Sequence, residues 1–168
     1  MCRMNIGDVF FWDQYPYHAE GKHKKRWFVY LGEFKENQDP LDEDSPIMII
    51  APTTTTQLHY YDLGEPRAEH LYVRFCPNDG FGFISECILD LAEADIVVHK
   101  TDFQKQEKSG LIEKKGQLST SKLREIYRKI CDSKGYSWKL KYQIRANLNE
   151  VGITGLPKLR KPKRDRRR

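Results

Sequence analysis

Two stretches of the chain concentrate side chains that can do chemistry. Residues 15–27, YPYHAEGKHKKRW, gather His18, Glu20, Lys22, His23, Lys24, Lys25 and Arg26, with Gly21 free to bend the backbone sharply. Residues 49–58, IIAPTTTTQL, end an apolar run in Thr53, Thr54, Thr55 and Thr56. A guanidinium binds anionic oxygens through a planar fork, and a hydroxyl adds a neutral hydrogen bond to the same oxygens. Imidazoles and a carboxylate beside them can move protons. Each choice also has a plainer reading: Arg26 as a surface cation at a strand start, and the β-branched threonines as ordinary sheet.

The two stretches serve one site only if the fold brings them together. Short β-branched or aromatic runs bounded by turn residues predict strands over 7–13, 26–34, 47–55, 58–63, 69–75, 86–91 and 94–100. So many short strands at this spacing predict a small curled sheet or barrel. Sequential strands often pair, so the start of the second and the end of the third fall side by side, and Arg26 and the threonine row face one cleft. KENQDPLDEDSP, 35–46, reads as a solvated loop, and CPNDGFG, 76–82, as a turn with Gly80 and Gly82 at positive φ. Beyond residue 116 the period changes. A helix is predicted with Ser119, Thr120 or Ser121 as N-cap, Leu123, Ile126 and Ile130 on one face, and Gly135 at its close. A second sets Leu140, Ile144, Leu148 and Val151 on one stripe, with Gly152 as its stop. Its basic face, Lys139, Lys141 and Arg145, reads as solvated surface.

At 168 residues, 39% hydrophobic and 12% aromatic, the chain suits one core rather than two domains. It has no stretch of roughly 20 apolar residues and no signal-peptide pattern at its start, so a cytoplasmic location without a membrane span is expected. Cys2, Cys76, Cys87 and Cys131 are scattered without a Cys-x-x-Cys pair. They read as reduced thiols, Cys87 and Cys131 buried, and neither a zinc site nor a disulfide framework is expected. His59, His70 and His99 fall in predicted strands and read as surface or satisfied core positions, so no metal or cofactor is expected. The net charge of +5 divides unevenly. From Leu156 onward eight cations stand against Asp165, a net of +7 that leaves the remainder at −2. Such a tail cannot bury apolar surface and is expected to be disordered, with a non-specific attraction for phosphate backbones.

The order of these segments resembles a known family. Gly7-Asp8 before an aromatic strand, a charged loop ending in Arg26 before WFVYL, and then IIAPTTTTQ together look like the MazF/PemK/Kid ribonuclease toxins of type II toxin-antitoxin systems. GFISECILD leading into ADIVVHKTDF, and GQLSTSKLREIYRKI with its G-x-L-S turn and helix, resemble the rest of that pattern in the right order. The likeness covers about residues 7–134. Two positions depart from it: Trp27 follows Arg26 where the family usually has proline, and Gly21 stands where it commonly has glutamate, with Glu20 one place earlier.

The resemblance implies a mainly β, SH3-like small curled barrel (MazF/PemK/CcdB-like) with C-terminal helices, forming a homodimer that cuts single-stranded RNA without a metal and is held inactive by a cognate antitoxin protein. It divides the chain into a barrel domain with its packed helix over 1–135, a helical extension over 136–155 and a basic tail over 156–168. The family's catalytic pair maps onto Arg26 and either Thr54 or Thr55. Arginine is a poor base, so Glu20 and His23 are candidates to move protons, and His18, Lys24, Lys25, Gln57 and Trp12 to contact substrate. Two other classes compete. One is a nucleic-acid-binding module that kept the barrel without the chemistry; the other is a CcdB-like poison of a protein target such as DNA gyrase.

Overall fold

The computed structural model describes residues 4–16, 24–34, 47–92 and 96–159. Readings that fall on His18, Glu20, Gly21, His23, the 35–46 loop or the tail from 160 lie outside the described residues. Among the described residues there are seven strands: β1 Asp8–Tyr15, β2 Lys24–Phe34, β3 Ile47–Thr54, β4 Tyr72–Phe75, β5 Cys87–Asp90, β6 Ile96–His99 and β7 Ile112–Gln117. They form one antiparallel sheet in the order β4-β5-β3-β2-β1-β7, curled into a half-barrel. One edge of β3 serves two partners, β6 along 47–50 and β5 at Thr53 and Thr54. The helices are α1 Lys100–Lys108, α2 Thr120–Asp132 and α3 Trp138–Glu150, with single 3-10 turns η1 Leu58–Tyr61 and η2 Pro77–Asp79. Among the described residues no helix is long and apolar enough to cross a membrane.

The central strands are apolar on both faces because both are covered. On one face Val9, Trp27, Val29, Leu31, Ile49 and Ala51 pack with α2 and α3 through Leu123, Ile126, Ile130, Leu140, Ile144 and Leu148. On the other, Phe10, Trp12, Phe28, Tyr30, Met48 and Ile50 pack under Phe103 of α1. Strand alternation assigns each side chain to its face. The far ends of the sheet approach through glycines: a Cβ on Gly116 of β7 would stand 2.2 Å from the Phe81 carbonyl oxygen, so only glycine lets the loop after β4 lie against β7.

Several expectations hold and several change. Ser119 caps α2 by accepting from the Lys122 N–H, Ser137 caps α3, and Gly80 and Gly82 have φ of +76° and +93°. The predicted strand over 58–63 is instead the η1 turn, because Gln57 leaves β3 in the left-handed region at φ +55°. α1 and β7 were not foreseen: α1 buries only Phe103 and β7 only Ile112, so neither shows a periodic apolar face. Helix α2 closes at Ser133, whose hydroxyl donates to the Leu91 carbonyl, rather than at Gly135. Val151 is exposed and does not extend the α3 stripe. The chain turns there instead, with Gly152 N–H bonded to Asn149 and Ile153 N–H to Leu148, and Ile153 buried. Cys87 is fully buried, whereas Cys131 is half-buried.

Helix α3 shares the core rather than standing apart from it. Asn147 is buried and donates through Nδ2 to the Leu31 carbonyl at 3.2 Å and the Glu33 carbonyl at 2.9 Å, while its Oδ1 accepts from Gln143 at 2.9 Å. The two carbonyls are presented by an irregularity in β2 between Tyr30 and Gly32, where Gly32 has φ +104°. A Cβ on Gly32 would lie 2.3 Å from Asn147 Nδ2. The glycine thus opens the strand to the asparagine.

Candidate active site

Pairing brings the two chemically equipped stretches together. Trp12 pairs with Arg26 across β1 and β2, and Phe28 with Pro52 across β2 and β3. Just beyond the last of those pairs the Thr53 hydroxyl donates to the Trp27 carbonyl at 3.3 Å, and strand alternation puts Arg26 and Thr54 on the face that Phe28 and Pro52 share. Thr54 in turn pairs with Ile88 of β5, and Ile88 with Arg74 of β4. Trp12 and Arg26 thus form one cross-strand pair, and Thr54, Ile88 and Arg74 another row. Arg26 lies just past Phe28 of the covered core and is half-buried.

The threonines occupy different environments. Thr53 is buried, bonded to β2, and sits beside Cys87, whose thiol burial pushes up to about 12 while the Thr53 hydroxyl pulls the other way. Thr54 is half-buried at the strand end, where its hydroxyl donates to the Thr56 carbonyl at 3.1 Å and accepts from the Thr56 N–H at 3.3 Å. Thr55 and Gln57 are exposed beyond β3. Lys24 and Lys25 are exposed at the start of β2, with Lys25 3.8 Å from Asp13.

Trp12 takes a different place from the one expected. It is fully buried, with its ring against Tyr15 at 5.2 Å and Phe103 at 5.5 Å, so it supports the sheet under Arg26 and offers no face to a base. Trp27 lies on the opposite face, packed against Phe11 and Phe83. Trp27 is thus a core anchor immediately beside Arg26.

A second polar constellation shares the face of Thr54 and was not foreseen. Asp90, two residues beyond Ile88 on β5, accepts from the Tyr61 hydroxyl at 2.7 Å and pairs with His70 Nδ1 at 2.8 Å on one oxygen, and accepts from the Ala92 N–H at 2.9 Å on the other. Arg67 donates to the Tyr61 hydroxyl at 3.0 Å and lies 3.9 Å from the same carboxylate. Tyr61 is pushed up to about 12, first by burial and then by its bond to Asp90, with Arg67 opposing. The sequence held no spacing signal for this group, since its members come from η1, the turns after it and β5. Nearby, Arg74 is held by Glu86 at 2.8 Å and Asp62 at 3.6 Å.

A cavity of about 620 Å³ lies elsewhere, among Tyr30, Glu33, Met48, Lys100, Phe103 and Asn147, with Lys100 bonded to Glu33 at 2.6 Å. Its lining includes none of the candidate catalytic or substrate-binding residues named from sequence. No model of a known protein family matches the chain, and no curated protein matches it.

Proposed function

We propose that the chain is a toxin-type endoribonuclease on an SH3-like, MazF/PemK-like barrel, which cuts single-stranded RNA without a metal ion. What supports this reading is the pairing of β2 with β3 up to Phe28 and Pro52 and the Thr53 bond to the Trp27 carbonyl, which bring the Arg26 end of β2 to the threonine end of β3. In the reaction a ribose 2′-hydroxyl attacks the adjacent phosphorus, the bond to the 5′-oxygen breaks, and a 2′,3′-cyclic phosphate and a 5′-hydroxyl result. The protein must align the attack and absorb charge on the phosphoryl oxygens. Arg26 supplies a fixed positive fork for two of those oxygens, and Thr54 adds a hydrogen bond once its hydroxyl turns from the Thr56 carbonyl. A homodimer and an antitoxin laying an acidic or extended peptide over the strand ends complete the proposal.

The test incubates purified protein with long single-stranded RNA in EDTA and maps the fragment ends. The expected outcome is cutting at recurring short sequences, with Arg26→Ala lowering kcat/KM by about 10²–10³-fold. Intact RNA from folded parent protein would overturn the reading in favour of the binding module or the protein poison.

A further inference from the structure

The charge of the chain changes sign where the C-terminal helices begin. Residues 1–119 sum to −7, whereas residues 120–150, which hold α2 and α3, carry eight cations against three carboxylates, a net of +5. With the +7 of the run from Leu156, the part of the sequence that attracts a polyanion starts at α2. We infer that the outer face of α2 and α3 is a docking platform for single-stranded RNA, where the Trp138 and Tyr142 rings stack on bases while Arg124, Arg128 and Arg145 hold phosphates. The choice of RNA rests on the ribonuclease reading above; the surface itself does not.

The cations of the two helices divide by flank. On α2, Lys122 bonds Glu125 and stands 5.7 Å over the Phe75 ring, and Lys129 stands 5.6 Å over the Tyr72 ring, so both are turned to β4. Arg124 and Arg128 lie instead on the stripe that ends at Cys131, whose carbonyl accepts from Lys141 of α3 at 2.9 Å. That bond, and another to the Ser133 carbonyl at 2.6 Å, take Lys141 off the outer face. On α3, helical period sets Trp138, Tyr142 and Arg145 on one stripe, turned away from the buried Leu140, Ile144 and Leu148. Arg145 is near enough to α2 to oppose the burial that pushes the Tyr127 phenol and the Cys131 thiol up. Guanidinium groups from both helices thus border one line of rings. Among the described residues no ion pair occupies Arg124, Arg128 or Arg145.

The rings supply what charge alone does not. Trp138 and Tyr142 are stacked, with centroids 5.5 Å and planes 21° apart, and Tyr142 is 55% exposed. Aromatic faces held at the surface among unneutralised cations match an unstacked base beside its own phosphate. A duplex keeps its bases within the stack, and an anionic membrane or acidic peptide offers charge without bases. Single-stranded RNA is the polyanion that engages both the rings and the cations.

The test measures binding of the full chain, by fluorescence anisotropy in EDTA, to a labelled 2′-O-methyl oligouridylate, which has no free 2′-hydroxyl and so reads docking apart from cutting. Tyr142→Ala is expected to weaken binding about tenfold with its salt dependence unchanged, since a stacked base carries no charge, and Tyr142→Phe to bind like the parent. Combining Arg124→Gln with Arg128→Gln should weaken binding and make the slope of log affinity against log salt shallower by about 1.4, two phosphate contacts at about 0.7 each. The same exchange at Lys105 and Lys108 of α1, which packs on the other face of the sheet, should change neither quantity. Tyr142→Ala and the double arginine variant binding like the parent would overturn the platform. So would equal affinity of the parent for duplex RNA or an oligodeoxyuridylate, or tighter binding to vesicles rich in phosphatidylserine. Docking should also quench Trp138 emission, and a parent that binds without quenching overturns the stacking even where a variant fails to fold. A parent that cuts RNA yet fails these readings leaves the ribonuclease reading standing without this surface.

Discussion

Four adjacent threonines acquire different roles because a strand ends among them. Thr53 faces the core and bonds to the Trp27 carbonyl, Thr54 takes the opposite face, the one that Phe28 and Arg26 share, and Thr55 lies past the last pairing. Thr54→Val is therefore expected to lower RNA cleavage about tenfold, while Thr55→Val leaves it near the parent rate. Thr53→Val is expected instead to lower stability by about 1 kcal/mol in urea unfolding. Equal losses for the Thr54 and Thr55 variants would remove the distinction between them. The buried thiol and phenol give a pH prediction with a definite sign. Cys87 is raised from 9.0 and Tyr61 from 10.0, each to about 12, so the folded state holds both protons more tightly than the unfolded chain. That stabilisation is complete below about pH 9 and is lost as pH rises towards 12. The urea midpoint should fall across that window, and Tyr61→Phe should flatten the part above pH 10. Thiol labelling of folded protein near neutral pH should mark exposed Cys76 rapidly and Cys87 only on unfolding.

At the level of elements, the docking of α3 is the feature most open to test. Leu140, Ile144 and Leu148 are buried in the core shared with the sheet, and each such side chain contributes roughly 1.5–3 kcal/mol. Their sum is comparable to the whole stability of an ordinary domain, about 5–15 kcal/mol. A chain truncated after residue 135 is expected to lose cooperative unfolding, as circular dichroism would register; a truncated form melting like the parent would show that α3 is dispensable. Asn147→Ala leaves the Leu31 and Glu33 carbonyls without their donor and should cost about 2 kcal/mol. Gly32→Ala should cost on the order of 3 kcal/mol through its positive φ and the clash with Asn147. The helix was legible in its apolar stripe; its seat on a β2 irregularity was not, because the contact joins residues more than a hundred positions apart.

For the molecule as a whole, two features set how it meets a partner. Among the described residues the sheet is buried on both faces along its middle, and the Arg26, Thr54 and Asp90 side chains lie at or towards strand ends. Charge is concentrated in the C-terminal run, whose net +7 outweighs the −2 of everything before it. If that run engages RNA, deleting residues 158–168 should weaken binding of single-stranded RNA and make its dependence on salt shallower, as a filter-binding series over several salt concentrations would show. An unchanged affinity and slope would end that role. Light scattering is expected to give the mass of a dimer for the full chain.

Local pattern was enough to mark most of the strands, the two C-terminal helices with the Ser119 cap among its candidates, and the pairing of the second and third strands. These depend on side-chain period, capping and turn chemistry within a few residues, all of which are written in order along the chain. Tertiary structure alone decided that Trp12 is core, that Thr54 rather than Thr53 shares the face of Arg26, and that residues 58–61 turn instead of extending. It alone also assembled His70, Asp90, Tyr61 and Arg67. The physical reason is common to all of these. Which face a side chain takes depends on strand register, and a one-residue slip reverses every face. Partners that meet across a curled sheet have no fixed separation in sequence.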